Sequence, residues 1–207
     1  MHEQIDHPCV QHKLATIRDQ ETGHKLFREL AKEITMFLCY EALKNIKTRK
    51  VEVQTPLATA SCHEIDTDLV VVPILRAGVG MLDGILELVP TARVGFVGLY
   101  RDEKTKKPVS YYQRFPPQVS NGTCIIIDPM LATGGSTVAA IDALKQKGAG
   151  QIIVICIVTC EEGLALVEAA HPDVPIYTAS IDERLDDNKY IVPGLGDAGD
   201  RLFGTSH

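Results

Sequence analysis

The 207 residues are 45% hydrophobic and 23% charged, the composition of a soluble globular chain with apolar mass for one substantial core. A formal net charge of −6 argues against a broadly basic nucleic-acid surface, since duplex binding depends on many Lys and Arg contacts to phosphate. The opening MHEQIDHPCVQHKL lacks the apolar stretch of a secretory signal, and the longest apolar runs are too short to span a bilayer, so a cytoplasmic protein is expected.

In chain order, His2, His7 and His12 come first, spaced five apart. That spacing shares no helical face and has no accompanying Cys or carboxylate pattern, so it does not read as a metal site. Residues 22–44 place Leu26, Leu30, Ile34 and Leu38 at helical spacing, with Phe27, Ala31 and Phe37 widening the stripe. Lys44, Lys47, Arg49 and Lys50 then read as a solvated helix end and loop. Leu69–Leu75 is a valine-rich apolar run, as expected of a strand buried on both faces. Val79–Leu88 reads as a helix, 93–100 as a strand, Thr123–Ile127 as a strand and 136–147 as a helix ending at Gly148. A strand over 152–158, a helix from Glu161 to His171-Pro172 and a last strand over 176–181 complete the alternation. Alternating strands and helices predict an α/β fold, a mostly parallel sheet flanked by helices on both faces.

Two segments break that alternation. Residues 101–117, RDEKTKKPVSYYQRFPP, are too polar for a core and too long for a simple turn; an ordered surface hairpin and an active-site flap both fit. Residues 190–204, YIVPGLGDAGDRLFG, are rich in glycine yet carry apolar anchors, so this tail is expected to be docked. The six cysteines, at 9, 39, 62, 124, 156 and 160, form no Cys-x-x-Cys and read as reduced, mostly buried thiols.

The richest chemistry lies in CIIIDPMLATGGST, residues 124–137. An apolar strand ends in Asp128, and a loop with Gly134 and Gly135 leads into a helix. Glycines let backbone N–H groups converge, Thr133, Ser136 and Thr137 add hydroxyls, and a helix start favours an anion. The plainer alternative is a strand-to-helix turn with Ser136 as its N-cap. Asp128 favours the first reading, because a carboxylate beside a bound phosphate needs a partner such as ribose hydroxyls. The Gly-x-Gly-x-x-Gly at Gly194, Gly196 and Gly199 cannot be a dinucleotide fingerprint, since too few residues follow for a βαβ unit. Gly78-Val79-Gly80 follows a strand, but its third glycine, Gly84, falls one place late, which leaves a nicotinamide enzyme as a weak alternative.

Four stretches in order, PILRAG at 73–78, YRDE at 100–103, DPMLATGGST at 128–137 and YIVPGLGDAGDR at 190–201, resemble the type I phosphoribosyltransferases. Within these the chain is most similar to the uracil phosphoribosyltransferase family, and the likeness runs over nearly its whole length, including RDQETGHKLFREL. Most type I members carry two adjacent acids at the strand end. Here the second position is Pro129, as in the uracil enzymes.

The resemblance implies one domain over 1–207, with a helical N-terminal segment to about residue 50, a β-hairpin flap at 101–117 and a C-terminal base-binding hood over about 182–207. It implies transfer of the phosphoribosyl group of phosphoribosyl pyrophosphate to uracil, giving UMP and pyrophosphate. Asp128, Pro129, Met130, Leu131, Ala132, Thr133, Gly134, Gly135 and Ser136 would bind the ribose and 5′-phosphate. Arg76 and Arg101 would bind the pyrophosphate. Ile191, Gly196, Asp197 and Ala198 would read uracil, largely through backbone groups. Asp197 would also face the donor through Mg²⁺, a metal held mainly by the pyrophosphate itself. Arg76, Arg101, Asp128 and Asp197 are thus the expected catalytic set. Family members form dimers or larger assemblies, and some respond to GTP. No nucleic acid or membrane partner is expected, although an RNA-binding regulator on the same fold is the alternative, with the basic residues of 44–50 as its candidate face.

Overall fold

The computed structural model describes residues 1–101 and 108–205. The chain opens with β1 (His2–Gln4), α1 (Pro8–Arg18) and α2 (His24–Ala42), then β2 (Thr48–Gln54) and β3 (Thr59–Ile65). It continues through β4 (Leu69–Leu75), α3 (Val79–Leu88), β5 (Arg93–Val94), β6 (Phe96–Arg101) and β7 (Pro108–Arg114). A single 3₁₀ turn at Pro117–Val119 precedes β8 (Thr123–Ile127), β9 (Met130–Leu131), α4 (Gly135–Gln146), β10 (Gln151–Cys160) and α5 (Glu161–Ala170). The end is built from β11 (Ile176–Asp182), β12 (Arg184–Leu185), β13 (Ile191–Val192) and α6 (Ala198–Phe203).

The main sheet runs β1-β11-β10-β8-β4-β6-β7, parallel throughout except for the antiparallel β6–β7 pair. Its central strands explain their own sequences. In β4, Leu69 and Val71 face one core while Val70, Val72 and Ile74 face the other. Ile125 and Ile127 of β8 alternate with Cys124 and Ile126 in the same way, and β10 repeats the pattern. A strand covered on both sides has no polar face, so it reads as a continuous apolar run. Helices α1, α2, α3 and α6 contribute to the first core, and α4 and α5 to the second.

Several readings need correction. The basic run after α2 is not a loop: Arg49 and Lys50 lie within β2, which pairs antiparallel with β3 in a hairpin exposed on both faces. One face carries only a short apolar row, Val51 and Val53 opposite Cys62 and Ala60, too brief and too interrupted by charge to announce a strand. In α2 the buried stripe is Phe27, Leu30, Ala31, Ile34 and Leu38, whereas Leu26 is largely exposed. The N-terminal histidines have structural roles: His7 caps α1 by accepting from the Cys9 N–H at 3.1 Å, and His2 lies 3.0 Å from Glu168. Cys39, Cys124, Cys156 and Cys160 are buried free thiols, while Cys9 is exposed. Among the described residues no helix is long and apolar enough to cross a membrane.

The tail is docked. Leu202 is fully buried, Arg28 donates to its carbonyl at 2.7 Å, and the Arg201 guanidinium sits 4.4 Å from the centroid of the Phe27 ring. Helix α3 packs on α2 at Gly84, where a Cβ would collide with the Lys32 carbonyl oxygen and lie 3.2 Å from Thr35 Cβ. Alanine gains about 1 kcal/mol of helix propensity over glycine. Overpacking against a rigid backbone oxygen costs about 1–3 kcal/mol, and the close approach here places it high in that range. Gly84→Ala is therefore expected to lower the urea midpoint, with a net loss of about 1–2 kcal/mol. An unchanged midpoint would mean that the two helices part without cost.

Candidate active site

The parallel strands β4 and β8 are neighbours, but the chain leaves them in opposite directions. From β4 it crosses by α3 to β5 and β6, and from β8 it crosses by α4 to β10 on the other side. Such a divergence opens a crevice at the carboxyl ends of the two strands. Arg76 follows β4 and Asp128 follows β8, so both lie at the mouth of that crevice. The loop after β4 is pressed against β8: a Cβ on Gly78 would sit 2.5 Å from the Ile127 carbonyl oxygen. The Leu75–Arg76 peptide is cis.

Asp128 is half-buried, and burial pushes its carboxyl up to about 7, with the Met130 N–H at 3.4 Å offsetting only part of that. Pro129 is wedged against β10, its carbonyl accepting from the N–H groups of Ile157 at 3.1 Å and Val158 at 3.0 Å. The place of the second acid is thus taken by a buried residue tied to the sheet. Met130 and Leu131 form β9, which continues that pairing with Val158 and Thr159. Thr159 donates to the Leu131 carbonyl at 2.9 Å, and the Cys160 thiol donates to the Ala132 carbonyl at 3.3 Å. With those carbonyls occupied on the sheet side, the loop is held open toward the crevice.

Gly134 caps α4 with φ of 80°, a left-handed conformation that glycine adopts without strain, and a Cβ there would come 2.8 Å from the Gly163 carbonyl. The N-cap is therefore Gly134, and Ser136 stands inside the first turn rather than capping it. Gly163, in the first turn of α5, packs against the Leu131–Ala132 backbone so closely that any side chain would collide with it. The result is a cup of about 80 Å³ lined by Asp128, Met130, Leu131, Ala132, Thr133, Gly134, Ser136 and Thr137. Gly135 starts the helix at its base.

A second cavity of about 200 Å³ lies beside the cup and shares Met130 and Ala132 with it. Its other walls are Ala77, Lys189, Tyr190, Ile191, Gly196, Asp197, Ala198 and Gly199. Ile191 is held by β13 against Leu185 of β12, and Gly196 has φ of 70°. Asp197 caps α6, its Oδ1 accepting from the Asp200 N–H at 2.9 Å. Arg76 Nη2 lies 3.5 Å from Asp200 Oδ1, which brings the first loop to the tail. Asp197 also raises the pKa of the Tyr190 phenol above its ordinary value, with burial and Asp200 adding to the effect.

All the expected residues from the loops after β4, β8 and β13 therefore meet at one edge of the sheet. Arg101 closes β6 at that same edge, but the role expected of its guanidinium and the tip of the 101–117 flap, residues 102–107, lie outside the described residues. The flap's stem is the β6–β7 hairpin. Sequence reasoning missed Ala77, Lys189, Tyr190 and Gly199 as lining residues and Thr159, Cys160 and Gly163 as supports. Ala77, Tyr190 and Gly199 lie inside recognised motifs and Lys189 adjoins one, so these could have been found by proximity; the supports carry no signal, because their importance arises from strand pairing.

The comparisons agree with this geometry. The uracil phosphoribosyltransferase family model matches residues 4–205. Uracil phosphoribosyltransferases of Dictyoglomus thermophilum and Geobacillus kaustophilus are each 56% identical over 202 residues, which is 97% of this chain and 98% and 97% of theirs. A solved structure of a protein from Aquifex aeolicus superposes with a TM-score of 0.95 at 39% identity, covering 100% of this chain and 99% of that one. An adenine phosphoribosyltransferase of Trypanosoma brucei, 15% identical, shares the fold with a TM-score of 0.59 over 91% of this chain and 87% of its own. The chain belongs to the uracil phosphoribosyltransferase family, on the type I phosphoribosyltransferase fold.

Proposed function

We propose that the protein transfers the 5-phosphoribosyl group of phosphoribosyl pyrophosphate to N1 of uracil, with pyrophosphate leaving ribose C1. The observation that carries this reading is the pair of adjoining cavities, an anion-sized cup and a larger base-sized pocket, joined at Met130 and Ala132. The cup, from Asp128 to Ser136, offers backbone N–H groups and hydroxyls to the 5′-phosphate at the start of α4. Asp128 accepts from the ribose hydroxyls. Arg76, with Arg101 as its expected companion, grips the pyrophosphate, whose charge grows as the bond to C1 breaks; a guanidinium stays charged and matches paired oxygens.

Uracil presents an acceptor, a donor and an acceptor along O2, N3 and O4. The backbone around Ile191, Gly196 and Ala198 supplies the complementary groups, and glycine allows the close approach. Cytosine would leave donors facing donors, which a buried site rejects strongly. No covalent nucleophile is needed; positioning and fixed charge carry the rate.

Among the described residues no group of three or more His, Cys, Asp or Glu could hold a metal by itself. Asp197 keeps a carboxylate oxygen beyond the one used for capping, so it suits Mg²⁺ that is otherwise held by pyrophosphate oxygens and water. Such an ion would neutralise charge on the leaving group. Homo-oligomerisation and a response to GTP are carried from the family resemblance; the hairpin β2–β3, with Leu57 96% exposed, is a feature that a second subunit could cover. The regulator reading finds little support, because Lys44 pairs with Glu3 at 3.0 Å, Lys47 with Asp66 at 3.4 Å and Arg49 with Glu64 at 3.3 Å.

Purified protein with uracil, phosphoribosyl pyrophosphate and Mg²⁺ is expected to form UMP and pyrophosphate, and no product under any metal condition would refute the assignment. Arg76→Ala should lower kcat/KM for the donor by about a hundredfold, the loss of one charge-assisted clamp. Asp128 titrates near 7 when it has no ligand, and ribose hydroxyls stabilise its anion, so donor binding releases a proton. Donor affinity is then expected to rise by about tenfold between roughly pH 6 and pH 8, beyond the titration of the donor itself. Asp128→Asn should bind less tightly and lose that increment. An identical pH profile in the variant would remove Asp128 from the ribose.

A further inference from the structure

Outside the residues assigned to substrate, a heavily bonded charged group at this edge is Asp182, the last residue of β11. Its side chain is 3% exposed and is met by a two-pronged Arg18 from α1, Nη2 to Oδ1 at 2.6 Å and Nη1 to Oδ2 at 2.8 Å. Ser180 donates to Oδ1 at 2.7 Å, and the Gly194 N–H donates to Oδ2 at 2.8 Å. Arg18 Nη1 also donates to the Gly194 carbonyl at 2.8 Å. One ion pair therefore grips both the N–H and the C=O of a single tail residue. Burial alone would push the Asp182 carboxyl up; the bonds from Arg18, Ser180 and Gly194 outweigh it and hold the pKa below the ordinary carboxylate value.

The place of that grip matters. Asp182 stands just before β12, and Gly194 just after β13, so the contact closes the loop that contains Ile191. Gly194 itself has φ of 60° and a Cβ would run into the Ile191 carbonyl, so its backbone fits here only as glycine. Two residues further on is Gly196, and then Asp197 and Ala198 of the base pocket. A peptide that recognises a base through backbone groups cannot tune itself by rotamers. Its hydrogen-bonding edge is only as accurate as the anchor behind it.

We propose that the Arg18–Asp182 pair is the positioning device for the base-recognition loop, setting the backbone of Ile191, Gly196 and Ala198 against uracil without touching it. This rests on the reading of 190–198 as the base loop given above. Neither residue lines the anion cup, so the donor, held there and by Arg76, should respond far less to the pair than uracil does.

The test uses Arg18→Lys, which keeps the charge but loses the fork, Asp182→Asn, and Ser180→Ala as the mild variant that leaves the ion pair in place. For the first two, KM for uracil is expected to rise about tenfold or more while donor KM and kcat at saturating uracil change by less than about threefold, the signature of lost base binding rather than lost chemistry. Ser180→Ala should shift uracil KM in the same direction by about threefold. Exclusion of cytosine should weaken in parallel. Amide hydrogen exchange, which needs no activity, should speed up across 191–198 and stay unchanged across 128–137. Folded variants with unaltered uracil KM, uracil and donor KM rising together, or exchange rising evenly through the chain would overturn the proposal. If the wild-type protein makes no UMP, the assigned reaction fails first, and the exchange pattern alone decides whether the pair orders the loop. Should Asp182→Asn or Arg18→Lys fail to fold, Ser180→Ala decides instead, and unchanged uracil KM with unchanged exchange in that variant would refute the positioning role.

Discussion

The constraint from which everything else follows is the double burial of β4, β8 and β10. With Val70 to Val72, Cys124 to Ile127 and Ile152 to Val158 all inside, these strands can carry no chemistry along their length. Polar groups emerge only where the strands end. Parallel pairing puts those ends at one edge, and the opposite crossovers after β4 and β8 part the covering helices there. Arg76, Asp128, Cys160 and Asp182 are the residues at or directly after four such ends. The catalytic edge is thus a by-product of hydrophobic patterning.

At that edge two kinds of support are at work. The anion cup is held by the sheet itself: β9 extends the ladder, Thr159 and Cys160 take up two carbonyls, and Gly163 lets α5 close from behind. The loop proposed to read the base has the short β12–β13 ladder and the turn bonds between Asp186 and Tyr190, and beyond these it depends on side chains, with Arg18 reaching from the far end of the chain. On the proposed reading, the part that would hold a constant phosphate is built into the scaffold, and the part that would admit and release a flat base hangs on a few polar contacts, where local opening costs less.

The central strands and α3 were legible because their apolar runs are long and bounded by clear punctuation. Leu69–Leu75, Thr123–Ile127 and Val79–Leu88 stand where the pattern places them. The cup was legible because glycine at a positive φ and a strand-end acid are themselves sequence signals, though the pattern could not distinguish a Ser136 cap from the Gly134 cap observed. The hairpin β2–β3 was hidden because it buries no residue and its apolar row, Val51 and Val53 opposite Cys62 and Ala60, is short, and α1 because its buried set, Val10, Leu14 and Ile17, is sparse among histidines and polar residues. The knot of Arg18, Ser180, Asp182 and Gly194 was out of reach for another reason. Its members are up to 176 residues apart and form no local pattern; only the folded chain brings them together.

Three carboxylates at this edge show how environment assigns roles to one chemical group. Asp182 is buried with a guanidinium and two further donors, so its charge is held firmly and it serves as an anchor. Asp197 is exposed and spends one oxygen on the α6 cap, which fixes its direction at the wall of the larger cavity beside Tyr190. Asp128 is sunk in the cup with one weak N–H contact and, among the described residues, no cation beside it, so burial drives its carboxyl toward neutrality. That arrangement disfavours the empty anion and rewards a ligand that brings hydroxyl donors. On the proposed reading it also resolves the apparent conflict of an acid beside a phosphate cup: near neutral pH much of the repulsive charge would be absent until the sugar that stabilises it has arrived.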